Sequence, residues 1–310
     1  MAGGSAEFTS AEGGGACRPT RKGLERSGCK LIGVLGYLRV MADPQVVTWP
    51  RPYFKAGEQP TKVFFVCFGK APLADAPLDR QRFGLPSAEL VRRIDLREHR
   101  RTAERAWFEN WWAGAFGVIA ERDLGDELAL LTTSDICFTL GIELEDQADL
   151  APLQSVWGLA RWLCARGISV VLDVHAFHFR TRADLDALTF DESDVQREVK
   201  LVLESDATEQ GLHLLHTRGL CKCARPELMC FIEPDDAAVM GRIMNQLART
   251  LLEGALPGQL RLRVADGVEL TTSPVDDRAL VDSLGIEGAV MLGRTDGAPL
   301  AGIARSVKVA

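Results

Sequence analysis

The sequence predicts an α+β fold in which a mixed, mostly antiparallel sheet packs against amphipathic helices. Helix and strand patterns interleave without a strict strand-helix-strand rhythm, which favours α+β over a doubly wound parallel sheet. The pair Asp266-Gly267 between two apolar runs is typical of an antiparallel hairpin. The 310 residues are 46% hydrophobic and 25% charged, which is the composition of a globular chain.

The first half of the body begins with a strand and continues with helix-forming sequence. Residues 62–68 are a near-continuous apolar run, which predicts a buried strand. From residue 87 to about 116, helix formers return apolar groups every three or four residues, so we expect one long helix or two shorter ones. Residues 127–133 and 136–144 then predict two strands of a hairpin.

The second half contains the clearest helix of the chain. Residues 149–166 place their apolar side chains on one face, and Gly167 follows where a helix is expected to end. A second amphipathic helix is predicted over residues 235–254. Strands are predicted at residues 168–174, 195–204, 212–217, 226–232, 260–264, 268–272 and 289–292.

Composition divides the chain into parts. Residues 1–40 are rich in Gly, Ser and Thr and predict a disordered tail, because they cannot bury enough apolar surface to offset the entropy of ordering. We expect residues 41–145 and 146–310 to form two α+β parts that share one globular body. A further hypothesis makes Met41 the true start, in which case the tail is no part of the native protein.

Charge and cysteine usage restrict the class of partner and the location. The net charge is −7, so we expect neither a nucleic-acid nor an anionic membrane partner. The apolar run at residues 31–38 is far shorter than the ~20 residues that span a bilayer. The eight cysteines show no disulfide framework, which favours reduced thiols in a cytoplasm. Cys67 and Cys164 lie in apolar runs and are expected to pack as small hydrophobes.

A candidate catalytic pair lies at the end of the strand predicted at residues 168–174. Strand alternation places Asp173 and His175 on one face and His178 out of phase. A carboxylate beside an imidazole is suited to binding a metal or transferring a proton. Two ligands do not make a hydrolytic zinc centre, which needs three. The alternative interpretation is that Asp173 caps a turn.

A second group brings metal-capable side chains together within residues 213–230. Their softness suits zinc, although the Cys-x2-Cys spacing of zinc knuckles is absent. In a strand, the two histidines point to opposite faces. Ordinary packing is therefore expected and no cofactor is favoured, with zinc as the alternative. The side chains are His213, His216, Cys221, Cys223 and Cys230.

An arginine-rich stretch and an aromatic cluster follow one another at residues 92–116. Acidic residues interleave with the arginines of residues 92–105, which predicts a solvated, salt-bridged helix face rather than a nucleic-acid site. The aromatic residues are expected to pack in the core or in a subunit interface, with a ligand-stacking surface as the alternative. They are Trp107, Phe108, Trp111, Trp112 and Phe116.

Residues 216–228, with the sequence HTRGLCKCARPEL, resemble a bacterial family of unknown function. Its members carry a Thr-Arg-Gly-Met/Leu turn that leads into a Lys-Phe-Gly-Arg-Pro-Glu/Asp-Leu strand. Residues 157–163 and 171–176 look similar too, so the resemblance covers roughly residues 150–300. Cys223-Ala224 stand where the family has Phe-Gly, and a position that accepts Phe is a packing position. The resemblance implies no activity.

The same segment supplies candidate ligand-binding residues: Arg218, Arg225 and Glu227. A Thr-Arg-Gly turn presents backbone amides and a guanidinium to an anion. The alternative is a turn in which Gly219 supplies a positive φ and the arginine pairs with a neighbouring carboxylate.

The motifs of the common nucleotide-binding and hydrolytic classes are missing from the sequence. We therefore expect a non-catalytic, intracellular bacterial protein with a protein-binding or accessory role and a protein partner. The alternative is a metal-dependent hydrolase that uses Asp173, His175 and either His178 or His213.

Overall fold

The computed structural model describes residues 46–205, 207–208, 211–265, 267–300 and 302–303. The predicted tail and Met41 lie outside the described residues. The helices are α1 (Ala88–Arg93), α2 (Arg105–Glu109), α3 (Gly114–Leu124), α4 (Leu128–Thr132), α5 (Ala151–Ala165), α6 (Arg182–Ala187), α7 (Val195–Glu198), α8 (Ala237–Leu252) and α9 (Arg278–Ser283).

The first sheet is antiparallel throughout. Its strands are β1 (Thr61–Gly69), β2 (Asp95–Arg100), β3 (Ile136–Leu144), β4 (Ile168–Asp173) and β5 (His178–Thr181). They lie in the order β2-β3-β1-β4-β5. Because β4 and β5 belong to this sheet, it takes strands from both sides of residue 145.

Helices cover both faces of the first sheet. Alternate side chains of β1 point to opposite faces, as the period of two requires. Phe65 and Cys67 join a core cluster with α5, whereas Val66 and Phe68 join a second cluster with α2, α3 and α4. This explains why β1 is a continuous apolar run rather than an alternating one.

The second sheet is mixed. Its strands are β6 (Lys200–Glu204), β7 (His213–Arg218), β8 (Glu227–Ile232), β9 (Arg261–Ala265), β10 (Val268–Pro274) and β11 (Ala289–Arg294). They lie in the order β6-β7-β8-β11-β10-β9, in which β8 and β11 are parallel and the other neighbours antiparallel. The predicted α+β fold with a mixed, mostly antiparallel arrangement is confirmed.

The two sheets meet through shared apolar packing. The amphipathic helix α8 covers one face of the second sheet, and its side chains belong to the same buried cluster as α5 and Phe65. Between β7 and β8, a 3-10 turn at Leu220–Cys223 packs against β1. This turn therefore lies where the second sheet contacts the first.

Some predicted elements are wrong, and packing explains each case. The helix expected over residues 87–116 is interrupted by β2, whose charged side chains are tolerated because it is an edge strand paired with β3. Residues 127–133 are not a strand, because α4 turns Leu131 into the second core cluster. The expected strand at residues 195–204 begins instead with α7, which is capped by the Asp194 side chain.

Within the described part of the chain, no helix is long and apolar enough to cross a membrane.

Candidate functional site

The segment of residues 216–228 joins β7 to β8, and the turn in its middle packs against the first sheet and makes two sharp changes of direction. Gly219 has a φ of 111° and Ala224 a φ of 58°. A Cβ atom on Gly219 would lie 2.3 Å from the Glu198 carbonyl oxygen, so this position requires glycine on both counts. The buried cation Lys222 lies between these two positions, and a second buried cation, Arg225, directly follows Ala224. The expected positive φ at Gly219 is confirmed.

Glu227 fills the anion position that the Thr-Arg-Gly turn offers. Its Oε1 accepts hydrogen bonds from the amides of Gly219 and Leu220 at 2.9 and 3.0 Å, and its Oε2 accepts one from the Thr217 hydroxyl at 2.8 Å. Burial raises the pKa of Glu227, while these hydrogen bonds oppose the rise. The chain therefore supplies its own anion to the turn.

Arg218 and Arg225, the other two candidates, have separate surroundings. The guanidinium of Arg218 lies 4.0 Å from the centre of the Phe177 ring and donates to the Leu284 carbonyl. Arg225 donates to Asp146 at 2.7 Å, whereas the alternative interpretation expects a carboxylate partner for Arg218, the arginine of the Thr-Arg-Gly turn. These residues thus do not converge on one ligand site.

Arg225 and Asp146 form the centre of a buried polar cluster. Arg225 also donates to the carbonyls of Lys55, Gly254 and Ala255 at 2.7 to 2.9 Å. Arg51 approaches Asp146 from the other side at 2.5 Å. Asp146 in turn accepts from the Gly57 amide at 2.9 Å, so the cluster fixes the loop that precedes β1. Besides Arg225, the cluster comprises Arg51, Lys55, Gly57, Asp146, Gly254 and Ala255.

A second buried cluster surrounds Lys222. Its Nζ contacts Asp173 Oδ2 and lies 3.1 Å from Glu198 Oε2. Arg197 donates to Glu198 Oε1 at 2.6 Å, and the Trp157 indole donates to both oxygens of Glu198 at 3.0 and 3.1 Å. Burial by itself lowers the pKa of Lys222, but the two carboxylates outweigh it and raise that pKa overall. Burial favours the neutral acid at Glu198, yet its cationic partners lower the pKa of that group.

Asp173 also caps the turn after β4. Its Oδ1 accepts from the backbone amides of His175 and Ala176, each at 3.1 Å, as the alternative interpretation of this pair expects. Desolvation lowers the pKa of His175 to about 4 and that of His178 to about 3. Both imidazoles are therefore neutral near pH 7.

The metal-capable side chains of residues 213–230 are dispersed by the strand and the turn. His213 and His216 lie three positions apart on β7 and so occupy opposite faces. Cys223 donates to the Leu220 carbonyl at 3.0 Å, and burial raises the pKa of Cys223 and of Cys230 to about 12. Cys221 is half-buried, and burial likewise raises its pKa. Among the described residues, no group of three His, Cys, Asp or Glu side chains is placed to hold a metal.

The aromatic cluster packs on the first sheet. Phe108 and Trp111 are buried in the second core cluster, and Trp112 and Phe116 pack against it. Trp107 stacks on His99 with ring centres 4.2 Å apart. The expectation of core packing is confirmed for these rings.

An open groove, which we call the acidic groove, lies above Asp146. Two adjoining depressions of about 550 and 340 Å³ share Pro60 and Glu145. Carboxylates of Glu58, Glu143 and Glu145 are exposed along it, together with Arg93. The lining residues are Ala56, Gly57, Glu58, Gln59, Pro60, Arg93, Glu143, Leu144, Glu145, Asp146 and Gln147.

The sequence interpretation missed this groove, although one signal for it was present. At the end of β3, buried Ile142 and Leu144 alternate with exposed Glu143 and Glu145, so the two carboxylates share one face. Nothing local to residues 143–147 connects them with Arg225, which lies far away along the chain.

Comparisons of the chain with protein-family models, with curated proteins and with solved structures found no match.

Proposed function

We propose that this chain is a non-catalytic protein-binding protein and that its acidic groove receives a basic segment of the partner. The observation that carries the proposal is the convergence of the exposed carboxylates of Glu58, Glu143 and Glu145 on one concave surface. Carboxylates that line a depression focus a negative potential, which attracts lysine and arginine side chains.

The floor of the groove is rigid, which reduces the entropy lost on binding. Asp146 is held by Arg51 and Arg225, and its charge is compensated beneath the surface. The same carboxylate holds the Gly57 amide, which fixes the loop that carries Glu58. The exposed negative charge of the groove therefore comes from side chains free to meet a partner, while the buried charges set its shape.

The engagement of the candidate catalytic residues supports a non-catalytic role. Of the candidate catalytic residues, Asp173 is bound by Lys222 and by two backbone amides; the candidate ligand-binding residue Glu227 accepts from Thr217, Gly219 and Leu220. We place the protein in the bacterial cytoplasm, where the free thiols of its described cysteines stay reduced.

A charge-reversal experiment tests the proposal. The groove variant carries Glu58→Lys, Glu143→Lys and Glu145→Lys. A matched control reverses the same number of exposed acids on α3 and in the turn that follows it, at Glu121, Asp126 and Glu127, none of which lines the groove. The tagged full chain and both variants are cross-linked in lysate of the source organism, and the captured proteins are quantified by mass spectrometry.

We expect the wild type and the control to capture the same partner, and the groove variant to lose it. The purified partner should then bind the wild type directly through a basic segment, and the binding should weaken as salt is raised. Equal capture by the groove variant, or equal loss by the control, would contradict the proposal.

A further inference from the structure

The Lys222 cluster contains the groups needed to join two side chains covalently. An amine, a carboxyl group and a second carboxylate come from different elements: the turn after β7, the end of β4 and the end of α7. Lys222 Nζ contacts Asp173 Oδ2 and lies 3.1 Å from Glu198 Oε2. We propose that Lys222 and Asp173 form an intramolecular isopeptide bond, with Glu198 as the group that transfers the protons.

The surroundings of the three groups exclude bulk water. The side chains of Lys222 and Glu198 have no exposed surface and that of Asp173 has 2%. Phe65 on β1 lies opposite Asp173 on β4. The Phe65 ring packs edge-on against Trp157, with ring centres 4.4 Å apart. In a dry site the water released by condensation does not return readily, and the fixed neighbours act at high effective concentration.

Two backbone amides are placed to stabilise the reaction at Asp173. The N–H groups of His175 and Ala176 both donate to Oδ1, each at 3.1 Å. When the Lys222 amine adds to the carboxyl carbon, negative charge develops on an oxygen of Asp173, and paired amide donors stabilise such a charge. Oδ2, on the side of Lys222, is then the oxygen that leaves.

The step balances without any co-reactant. The ion pair is the resting form, and the neutral pair reacts. Glu198 moves one proton from the Lys222 ammonium to Oδ2 of Asp173, and the neutral amine attacks Cγ of the protonated carboxyl group. The Nζ–Cγ bond forms, Glu198 moves a second proton from Nζ to Oδ2, and the Cγ–Oδ2 bond breaks as that oxygen leaves as water. An ammonium and a carboxylate are thereby converted into an amide and one water molecule, with no change of oxidation state.

The charges of the cluster stay compensated throughout. Before reaction, Lys222 and Arg197 face Asp173 and Glu198, so the cluster is neutral. Transfer of a proton from Lys222 to Glu198 leaves that sum unchanged. After condensation, Arg197 remains the counter-ion of Glu198, with a contact of 2.6 Å, so no buried charge is left unpaired.

Mass spectrometry of the full chain under denaturing conditions tests the proposal. We expect the intact mass to be lower than the mass of the sequence by one water molecule. Proteolysis should yield a branched peptide that joins the segments of Asp173 and Lys222. An intact mass without this deficit, together with two separate linear peptides, would overturn the proposal.

The chain offers internal and engineered controls. The exposed ion pair of Lys62 with Glu287 lacks a dry site, so its peptides should remain separate. Lys222→Arg should show no water loss, because a guanidinium keeps the charge but does not condense. Glu198→Gln should leave the amine and the acid unjoined, with the helical and strand content checked by circular dichroism. A joined peptide in the Glu198→Gln variant would overturn the role of Glu198.

Discussion

Arg225 offers a quantitative test of how the buried charges support the acidic groove. Its guanidinium donates to Asp146 and to the carbonyls of Lys55, Gly254 and Ala255. Arg225→Ala removes these donors together. Breaking a buried ion pair costs about 3–5 kcal/mol where a charge is left unpaired, and the cost here is smaller because Arg51 still pairs with Asp146. Each carbonyl left without a donor adds about 1–3 kcal/mol where water does not replace the lost hydrogen bond.

We therefore expect Arg225→Ala to lower the free energy of unfolding by about 5 kcal/mol or more, which is comparable to the whole stability of many domains. Arg225→Lys keeps the charge opposite Asp146 but offers three donors in place of five, so we expect an intermediate loss of about 2–3 kcal/mol. If only side-chain size and charge mattered, the free energy of unfolding of Arg225→Lys would be close to that of the wild type.

The assay is urea unfolding followed by tryptophan fluorescence and far-ultraviolet circular dichroism. Arg92→Ala is the control, because Arg92 is exposed on α1 and should change stability by less than about 0.5 kcal/mol. A folded Arg225→Ala variant within about 1 kcal/mol of the wild type would refute the role assigned to the cluster.

Other predictions concern packing and protonation. Gly158→Ala on α5 should destabilise the fold, because its Cβ would lie 2.6 Å from the Phe83 carbonyl oxygen. Gly241→Ala on α8 meets no such contact and should stabilise the fold by up to about 1 kcal/mol. The midpoints of urea unfolding of the two variants and the wild type measure both effects. Because burial lowers the pKa of His175 to about 4, the unfolded chain binds more protons between pH 6.5 and 4, and stability should fall as pH is lowered through that window. His175→Gln should reduce this slope by up to about 1.4 kcal/mol per pH unit in urea titrations, and an unchanged slope would contradict the assignment. Burial raises the pKa of Cys164 to about 12, so iodoacetamide at pH 8 should leave its peptide unlabelled in the native protein and label it after unfolding.

Local sequence patterns predict those elements whose apolar residues are the same residues that pack in the core. The apolar runs of β1 and β4 and the amphipathic faces of α5 and α8 each reflect the core that they contact. The hairpin around residue 267 was predictable because β9 and β10 are adjacent in the chain and pair directly.

Local patterns failed where distant pairing decides the structure. Arginine and glutamate favour helices in isolation, but residues 95–100 pair with β3 and extend as β2. The environment of Arg225 followed the same rule. The sequence predicts Arg225 as a ligand-binding residue, and in the structure its guanidinium pairs with Asp146, which lies in the loop between β3 and α5. Spacing along the chain does not reveal such a partner.

The Lys222 cluster is even harder to predict from local sequence patterns. Asp173 stood out because histidines follow it, yet its main partner is a lysine from the turn after β7. Lys222 lies in the segment that resembles the family, but that pattern does not point to Asp173, and Glu198 resembles an ordinary surface residue in the sequence. Only the packing of the turn against β1 brings them together with Asp173.

The most direct test of the account is the dissociation constant of the captured partner, measured by calorimetry for the wild type, the groove variant and the matched control at low and at high salt. We predict that the wild type and the control bind equally and weaken together as salt is raised, while the groove variant binds at least tenfold more weakly, roughly 1.4 kcal/mol, at low salt. Equal affinity of the groove variant and the wild type at low salt would contradict a binding role for the acidic groove.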